Sequence, residues 1–397
     1  MMDEYQKKYG NKTQKRKKRN KDTSGFDAVR FIFASVSFLA LFLILKNSEL
    51  AIDYMERGMK LCVVSVIPSL FPFMVASELI VSSGAAEYIG RFLKRPFKRL
   101  FGVGGDGASA FLLGMVCGFP VGTRASLSLY KKNRISRGEF SRLICFSNVP
   151  SSAFVISAVG ATLFGCRAFG IALYCITILS ALIIGIILNV IYGEAEEKEN
   201  DRTDADVADK KTSHANERGR GISSFSGAVV YAANAMLGVC AFVIFFSVFT
   251  GLLGSVLEGV GVTQTAKAWL FSFFELTGGV AASAGVKPVS LAVIIAAFAV
   301  GWSGISVHFQ VASFCDGVKV RFGRYILSKL LHGALNALFC WLYMRFFGNS
   351  FSFDVKSVAA FDLVTGNTGE LGILISSVFF SVICIAFFSW VKRKAKR

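Results

Sequence analysis

The sequence predicts an all-α polytopic membrane protein, and three observations carry that prediction. Of its 397 residues, 53% are hydrophobic and only 18% are charged, against about 25% charge in an average soluble domain. The uncharged residues also come in unbroken blocks: Phe31–Leu45, Leu143–Cys166, Ala168–Gly193, Gly221–Leu257 and Leu371–Val391 contain no Asp, Glu, Lys or Arg. About 20 apolar residues cross a bilayer as a helix, and several blocks reach that length. Finally, the basic residues cluster at the borders of the blocks, where the positive-inside rule places them. A cytosolic enzyme, a secreted disulfide scaffold and a disordered tail protein are excluded.

The formal charge of +18 is unevenly spread. Residues 1–30 hold ten Lys/Arg against four Asp/Glu, and the tail 392–397 adds five more positive charges. The remainder reads as short loops: Arg91, Lys94, Arg95, Lys98 and Arg99; Lys131, Lys132, Arg134, Arg137 and Arg142; Lys319, Arg321, Arg324 and Lys329. The run Lys15–Arg19 reads as a cytoplasmic arm near anionic membrane lipid rather than a nucleic-acid contact. The nine cysteines are scattered, with no C-x-x-C pair, and read as small hydrophobes. Phe31–Leu45 has no small-residue cleavage site after it and is expected to stay as a first helix.

The domain plan follows. Residues 1–30 form the basic arm and 31–48 an extra transmembrane helix. A first repeat occupies 61–193, a charged linker 194–220, a second repeat 221–391, and a basic tail 392–397. The linker carries nine acids and six bases and no aromatic residue, so it cannot bury a core. The first repeat reads as Leu61–Ser83, a basic amphipathic stretch (Tyr88–Leu100), an interrupted segment (Ala108–Tyr130), and two spans, Leu143–Cys166 and Ala168–Gly193. The second reads as Gly227–Leu257, a short mixed stretch (Lys267–Lys287), an interrupted segment (Pro288–Cys315), and two spans, Tyr325–Phe347 and Leu371–Val391.

The interruptions are Gly118-Phe119-Pro120-Val121-Gly122-Thr123 and Gly301-Trp302-Ser303-Gly304-Ile305-Ser306. Gly and Pro free backbone groups that are tolerated at membrane depth only in protein or beside a polar cavity. Matching interrupted segments in two halves point to a transporter's binding site. Each is read as a re-entrant hairpin, with a kinked spanning helix as the alternative. Two halves of three spans and one hairpin must be inverted, which gives seven spans and an external C-terminus. The basic tail objects, and counting Lys267–Lys287 as a span gives eight.

The candidate substrate-binding residues are Gly118, Pro120, Gly122, Thr123, Arg124, Ser147, Asn148, Ser151, Gly301, Ser303, Ser306, His308 and Gln310. Arg124 follows the first break at once; helix N-terminal amides and a guanidinium together suit an anion, although Arg124 can instead pair with Glu78 or snorkel. Ser147-Asn148-Val149-Pro150-Ser151-Ser152 supplies donors within an apolar span, or else interhelical hydrogen bonds. Glu78 and Glu275 are acids in apolar surroundings and so candidates for proton coupling. His332 reads as a packed, satisfied histidine. No G-x-S-x-G, Walker loop, H-E-x-x-H or metal-ligand spacing occurs, so neither catalysis nor a cofactor is expected.

Five runs of this chain together carry a resemblance: Phe71-Pro72-Phe73…Ser77-Glu78-Leu79, Gly118–Arg124, Ser147-Asn148…Ser151, Phe274-Glu275…Gly279, and Ser306–Ser313. Over about residues 60–345 it resembles the YlbJ (SpoVV) family of sporulation integral membrane proteins, in the nucleoside-recognition or gate-domain superfamily. The resemblance implies a fold similar to concentrative nucleoside transporters, with two inverted repeats and two re-entrant hairpins. It also implies movement of dipicolinate across the mother-cell-derived outer forespore membrane. The family's break reads Gly-Tyr-Pro-x-Gly-Ala-Lys; Phe119, Thr123 and Arg124 depart from it but keep the positive charge. The expected partners are a small anionic metabolite and membrane lipid, with no nucleic acid; homo-oligomerisation is left open. The alternatives are a nucleoside or other metabolite transporter of the same fold, or a non-transporting scaffold for spore assembly.

Overall fold

The computed structural model describes residues 44–207 and 221–348, apart from 84, 316 and 319, together with positions 38, 41, 42 and 353. The basic arm, most of the first apolar block, the block Leu371–Val391 and the basic tail lie outside the described residues. Every regular element among the described residues is helical. Among the described residues four helices are long and apolar enough to cross a membrane: Arg167–Gly193, Phe225–Gly259, Val289–Phe314 and Phe322–Phe347; a bent pair, Gly90–Phe101 with Gly105–Cys117, makes a fifth if it counts as one span.

Helix α1 (Ser48–Leu61) runs through a π-helical turn, Cys62–Val66, into α2 (Ile67–Ser82). This rod lies against α8 (Gly221–Gly259), with Ser247 donating to the Tyr54 carbonyl at 3.2 Å and Met74 buried with Ala232, Ala235 and Met236. Helix α3 (Ala85–Phe101) is amphipathic. Its Arg91, Phe92, Lys94, Arg95, Lys98 and Arg99 are exposed while Phe97 is buried. The chain then bends by 93° into α4 (Gly105–Cys117).

Helices α4 and α5 (Val121–Lys131) fold back on each other as a hairpin. A Cβ on Gly114 would stand 3.0 Å from the Gly122 Cα, whereas residues eight apart in one helix are separated by about 12 Å. The open end is fastened by Arg134 to Asp106 at 3.0 Å. Helices α9 (Gln264–Phe274) and α10 (Leu276–Ala284) do the same around Glu275. A Cβ on Gly279 would collide with the backbone of Ser272, and Gln264 Nε2 closes the open end on the Ala282 carbonyl at 2.7 Å.

This corrects the expected pairing of interruptions. The first, Gly118–Thr123, is a hairpin tip. Its structural counterpart is Glu275, within the stretch read as merely mixed. The segment around Gly301–Ser306 does not fold back: α11 (Val289–Trp302) and α12 (Gly304–Phe314) count as one 26-residue candidate span, interrupted at Ser303. Ser303 adopts φ +73°, a left-handed conformation that costs a non-glycine residue energy. Leu143–Cys166 is likewise not one span. It divides at Asn148–Ser152 into α6 (Arg137–Ser147) and a π-helical segment, Phe154–Leu163. Pro150 has no N–H to carry the helix onward. The charged linker also begins as helix, since α7 (Arg167–Val207) runs past Glu194.

Helix α13 (Phe322–Phe347) ties the halves together. Near its start Arg324 stacks on Tyr192 of α7 at 3.8 Å; nearby, Asn189 donates to the Leu100 carbonyl at 3.2 Å, beside the open end of the first hairpin. Near its far end Cys340 donates to the Val293 carbonyl at 3.7 Å, just after the second hairpin. The first hairpin's surroundings thus meet α13 near its start and the segment after the second hairpin meets it near its end. Gly122 is packed between the Gly114 Cα and the Ser147 carbonyl. Gly122→Leu is expected to destabilise the purified protein by about 1–3 kcal/mol or more. Gly238→Leu, where an added side chain meets nothing within 4 Å, should leave the melting temperature unchanged. A thermal-unfolding comparison checks both.

Candidate functional site

Each hairpin tip abuts a helix break. At the first, Gly118 adopts φ +80°, and a Cβ there would stand 2.5 Å from the Ser151 nitrogen. Ser151 in turn accepts the Phe154 N–H at 3.2 Å. At the second, Gly304 adopts φ +78°, and its added Cβ would stand 2.9 Å from the Glu275 Cα. Trp302 Nε1 binds the second hairpin through the Phe273 carbonyl at 2.9 Å. Glu275, a coupling candidate, spends one carboxylate oxygen on the Gly278 N–H at 2.6 Å, capping α10.

Between the tips lies a buried polar cluster centred on Asn148. Its Nδ2 donates to the Tyr325 hydroxyl at 2.9 Å, its Oδ1 accepts from Thr123 at 3.4 Å, and its carbonyl accepts from Lys329 Nζ at 2.9 Å. Tyr325 also meets His308 Nδ1 at 3.2 Å. A phenol that accepts from Asn148 has a proton to offer His308 Nδ1, and in that tautomer the imidazole proton sits on Nε2. His308 Nε2 has no partner, and the ring stands edge-on to Trp302 with centroids 4.3 Å apart.

The same logic fixes His332. Its Nε2 faces the Thr177 carbonyl at 3.0 Å, which only accepts, so Nδ1 accepts from Lys329 Nζ at 3.1 Å. His332 is thus satisfied, as expected, but as part of this cluster. Asn336 extends it, donating to Thr177 Oγ1 at 3.0 Å. The Asn336 Oδ1 and the hydroxyls of Ser147 and Ser180 have no partner, and unpaired buried polar atoms are uncommon in folded proteins.

Lys329 corrects the loop reading of its charge: it is fully buried in α13. Arg142 and Arg324 are buried too, and Arg142 donates to the Gly102 carbonyl at 2.8 Å. Sequence reasoning missed Lys329 and Tyr325. The available signal was spacing, because Tyr325, Lys329, His332 and Asn336 fall on one face of a helix.

Arg124 lies elsewhere. Its guanidinium stacks 3.8 Å over Tyr231 and 5.2 Å from Phe314, and donates to the Tyr231 carbonyl at 3.2 Å. A small cleft beside it is lined by Ser77, Glu78 and Tyr231. Glu78 accepts from Ser128 and interacts electrostatically with Lys132 and Arg124. The candidate residues thus separate into two sets: Thr123, Asn148 and His308 at the centre, and Arg124 with Glu78 toward α2 and α8. Pro120 and Gly122 support the first tip, a Cβ on Gly301 would stand 2.8 Å from the Gly333 Cα, and Ser303, Ser306 and Gln310 are buried along the second break.

Residues 63–190 match the family model "Gate: Nucleoside recognition". The match covers about a third of the chain. It spans the first hairpin and the Asn148 break, while the second hairpin, His308 and Lys329 lie beyond it. Over 324 residues, 75% of this chain and 79% of the relative, the protein is 29% identical to the sporulation integral membrane protein YlbJ of Bacillus subtilis (strain 168). No solved structure matches the chain. Gate domain and YlbJ similarity together bear out the family resemblance carried by the motifs.

Tyr325→Phe keeps the ring and deletes the hydroxyl that links Asn148 to His308. With buried polar partners left unpaired, it should destabilise the protein by about 1–3 kcal/mol, read by chemical denaturation. Glu275→Ala removes a helix cap and should lower stability by about 0.5–2 kcal/mol in the same measurement.

Proposed function

We propose that this protein is a sporulation membrane transporter that moves a small anionic metabolite, best matched by dipicolinate, across the outer forespore membrane. Two inverted repeats would each contribute a re-entrant hairpin and an interrupted spanning helix, as in concentrative nucleoside transporters. The observation that carries this reading is the pairing of tips with breaks, Gly118 on Ser151 and Glu275 against Gly304, around one polar cluster. Such backbone is tolerated at membrane depth where it borders a substrate path.

The anionic preference rests on the cluster's imbalance. Among the described residues it holds Lys329 and an unpartnered His308 Nε2 but no carboxylate, which suits a negatively charged ligand better than a neutral one. Similarity to a sporulation membrane protein supports the biological setting. Binding and release need no covalent chemistry, cofactor or metal, so the protein acts as a carrier and not as an enzyme. The Gate match, named for nucleoside recognition, favours a nucleoside as the second reading.

Proteoliposomes holding terbium inside test the substrate, because dipicolinate chelates terbium and raises its luminescence. Uptake that excess unlabelled dipicolinate suppresses and excess uridine or adenosine does not is the expected result; no uptake, or suppression by nucleosides alone, refutes it. The inverted arrangement has its own test. Cysteines placed at Asn133 and Lys287, beside the two open hairpin ends, should react with an impermeant maleimide from opposite membrane faces in a cysteine-free background. Labelling from one face would contradict the inversion.

A further inference from the structure

Among the buried cations, Arg124 and Lys329 lie closest to the helix breaks, and their surroundings differ. Tyr231 and Phe314 cover the Arg124 guanidinium, the Tyr231 carbonyl accepts from it, and Glu78 lines the same cleft. Lys329 is fully buried, and its neighbours are neutral. Its ammonium donates to the Asn148 carbonyl at 2.9 Å and to His332 Nδ1 at 3.1 Å. An ammonium has three N–H donors, so one is left. Among the described residues it makes no ion pair, and a buried charge without a counter-charge is strongly disfavoured.

A second donor stands in the same cluster. His308 is buried, its Nδ1 is taken by Tyr325, and its Nε2 has no protein partner. Tyr325 and Lys329 are one turn apart on α13 and both bind Asn148, so His308, bound to Tyr325, belongs to the same linked set. One Lys329 N–H and His308 Nε2 are left unmatched there. The flanking wall is aromatic, with Trp302 edge-on to His308 and stacked on Phe273 at 5.1 Å.

We propose that Lys329 and His308 Nε2 form the carboxylate-binding site of this protein, taking one carboxylate of a small planar aromatic acid, while Arg124 serves to hold α5 against α8. The assignment rests on the transport reading above and names the group that meets the substrate's charge. The competing role for Lys329 is that of a cap. Asn148 ends α6, and a cation at a helix C-terminus is favourable in itself. A cap, however, is indifferent to the charge of the ligand.

The experiment measures binding by calorimetry in detergent, and uptake in proteoliposomes, for pyridine-2,6-dicarboxylate, pyridine-2-carboxylate, neutral pyridine-2,6-dimethanol and inorganic phosphate. Lys329→Met should weaken binding of both carboxylates by about ten- to a hundredfold, the loss of one charged hydrogen-bonded contact, and leave the neutral diol unaffected. Arg124→Gln should lower stability but keep the preference for carboxylate over diol. A monodisperse Lys329→Met protein that binds dicarboxylate within about twofold of the parent, on the same scale, overturns the assignment, as does a parent that prefers phosphate to either carboxylate. If Lys329→Met does not fold, Lys329→Arg decides. A broader fork touching the ligand must change the dicarboxylate-to-monocarboxylate affinity ratio, and an unchanged ratio overturns the proposal. A parent that neither binds nor moves any of these acids defeats the transport reading and this site with it; transport by parent and Lys329→Met alike defeats the site alone.

Discussion

The centre of this protein depends on how the broken end of α6 is satisfied. Where the helix stops at Asn148, backbone groups lose their helical partners, and hydrocarbon provides no replacement. The Asn148 carbonyl is taken by Lys329, 181 positions away, and its side chain by Tyr325, 177 positions away. The arrangement is reciprocal. The break is tolerable because a cation meets its carbonyl, and the cation is tolerable because a helix C-terminus faces it. Thr123 adds the first hairpin to the same residue, so a hairpin, a broken helix and α13 share one joint.

Around that joint the elements approach closely enough to exclude side chains. Gly114 and Gly122 leave room for the Ser147 carbonyl, Gly301 meets Gly333, and Gly160 meets Gly170. Small residues perform this role in membrane proteins because lipid offers no hydrophobic drive for helix association, and close backbone contact supplies dispersion instead. Gly114 and Gly122 make the first hairpin narrow, and Gly279 against Ser272 the second, so that their tips can reach the helix breaks. Aromatic packing then fills the remaining volume, as in the stack of Phe101 on Phe146.

The polar groups divide along chemical lines. Toward α2 and α8, Arg124 is matched by aromatic faces, a carbonyl and the nearby Glu78, a closed set that suits a structural role. At the centre, Lys329 and His308 Nε2 are incompletely matched. That asymmetry distinguishes Arg124 from Lys329, which composition alone treats alike.

Much of the fold was legible in the sequence. Charge-free blocks of spanning length located α7 and α8, because a helix that satisfies its own backbone is the economical way across lipid. The Gly-Phe-Pro-Val-Gly run marked the first hairpin tip, and the polar hexad around Asn148 marked a special site within an apolar segment. Spacing could not decide which interruption folds back and which continues. Gly301–Ser306 resembles Gly118–Thr123 in composition, yet the first continues as a kinked helix; the second hairpin turns at Glu275, where an acid caps the returning helix. Nor could charge counting separate Lys329 from the lysines beside it, since a Lys near the end of an apolar block reads as a loop or snorkelling residue. Its burial depends on a carbonyl freed in another helix. Local pattern sets which segments are helical and apolar; only tertiary packing determines which broken backbone groups and which charges meet.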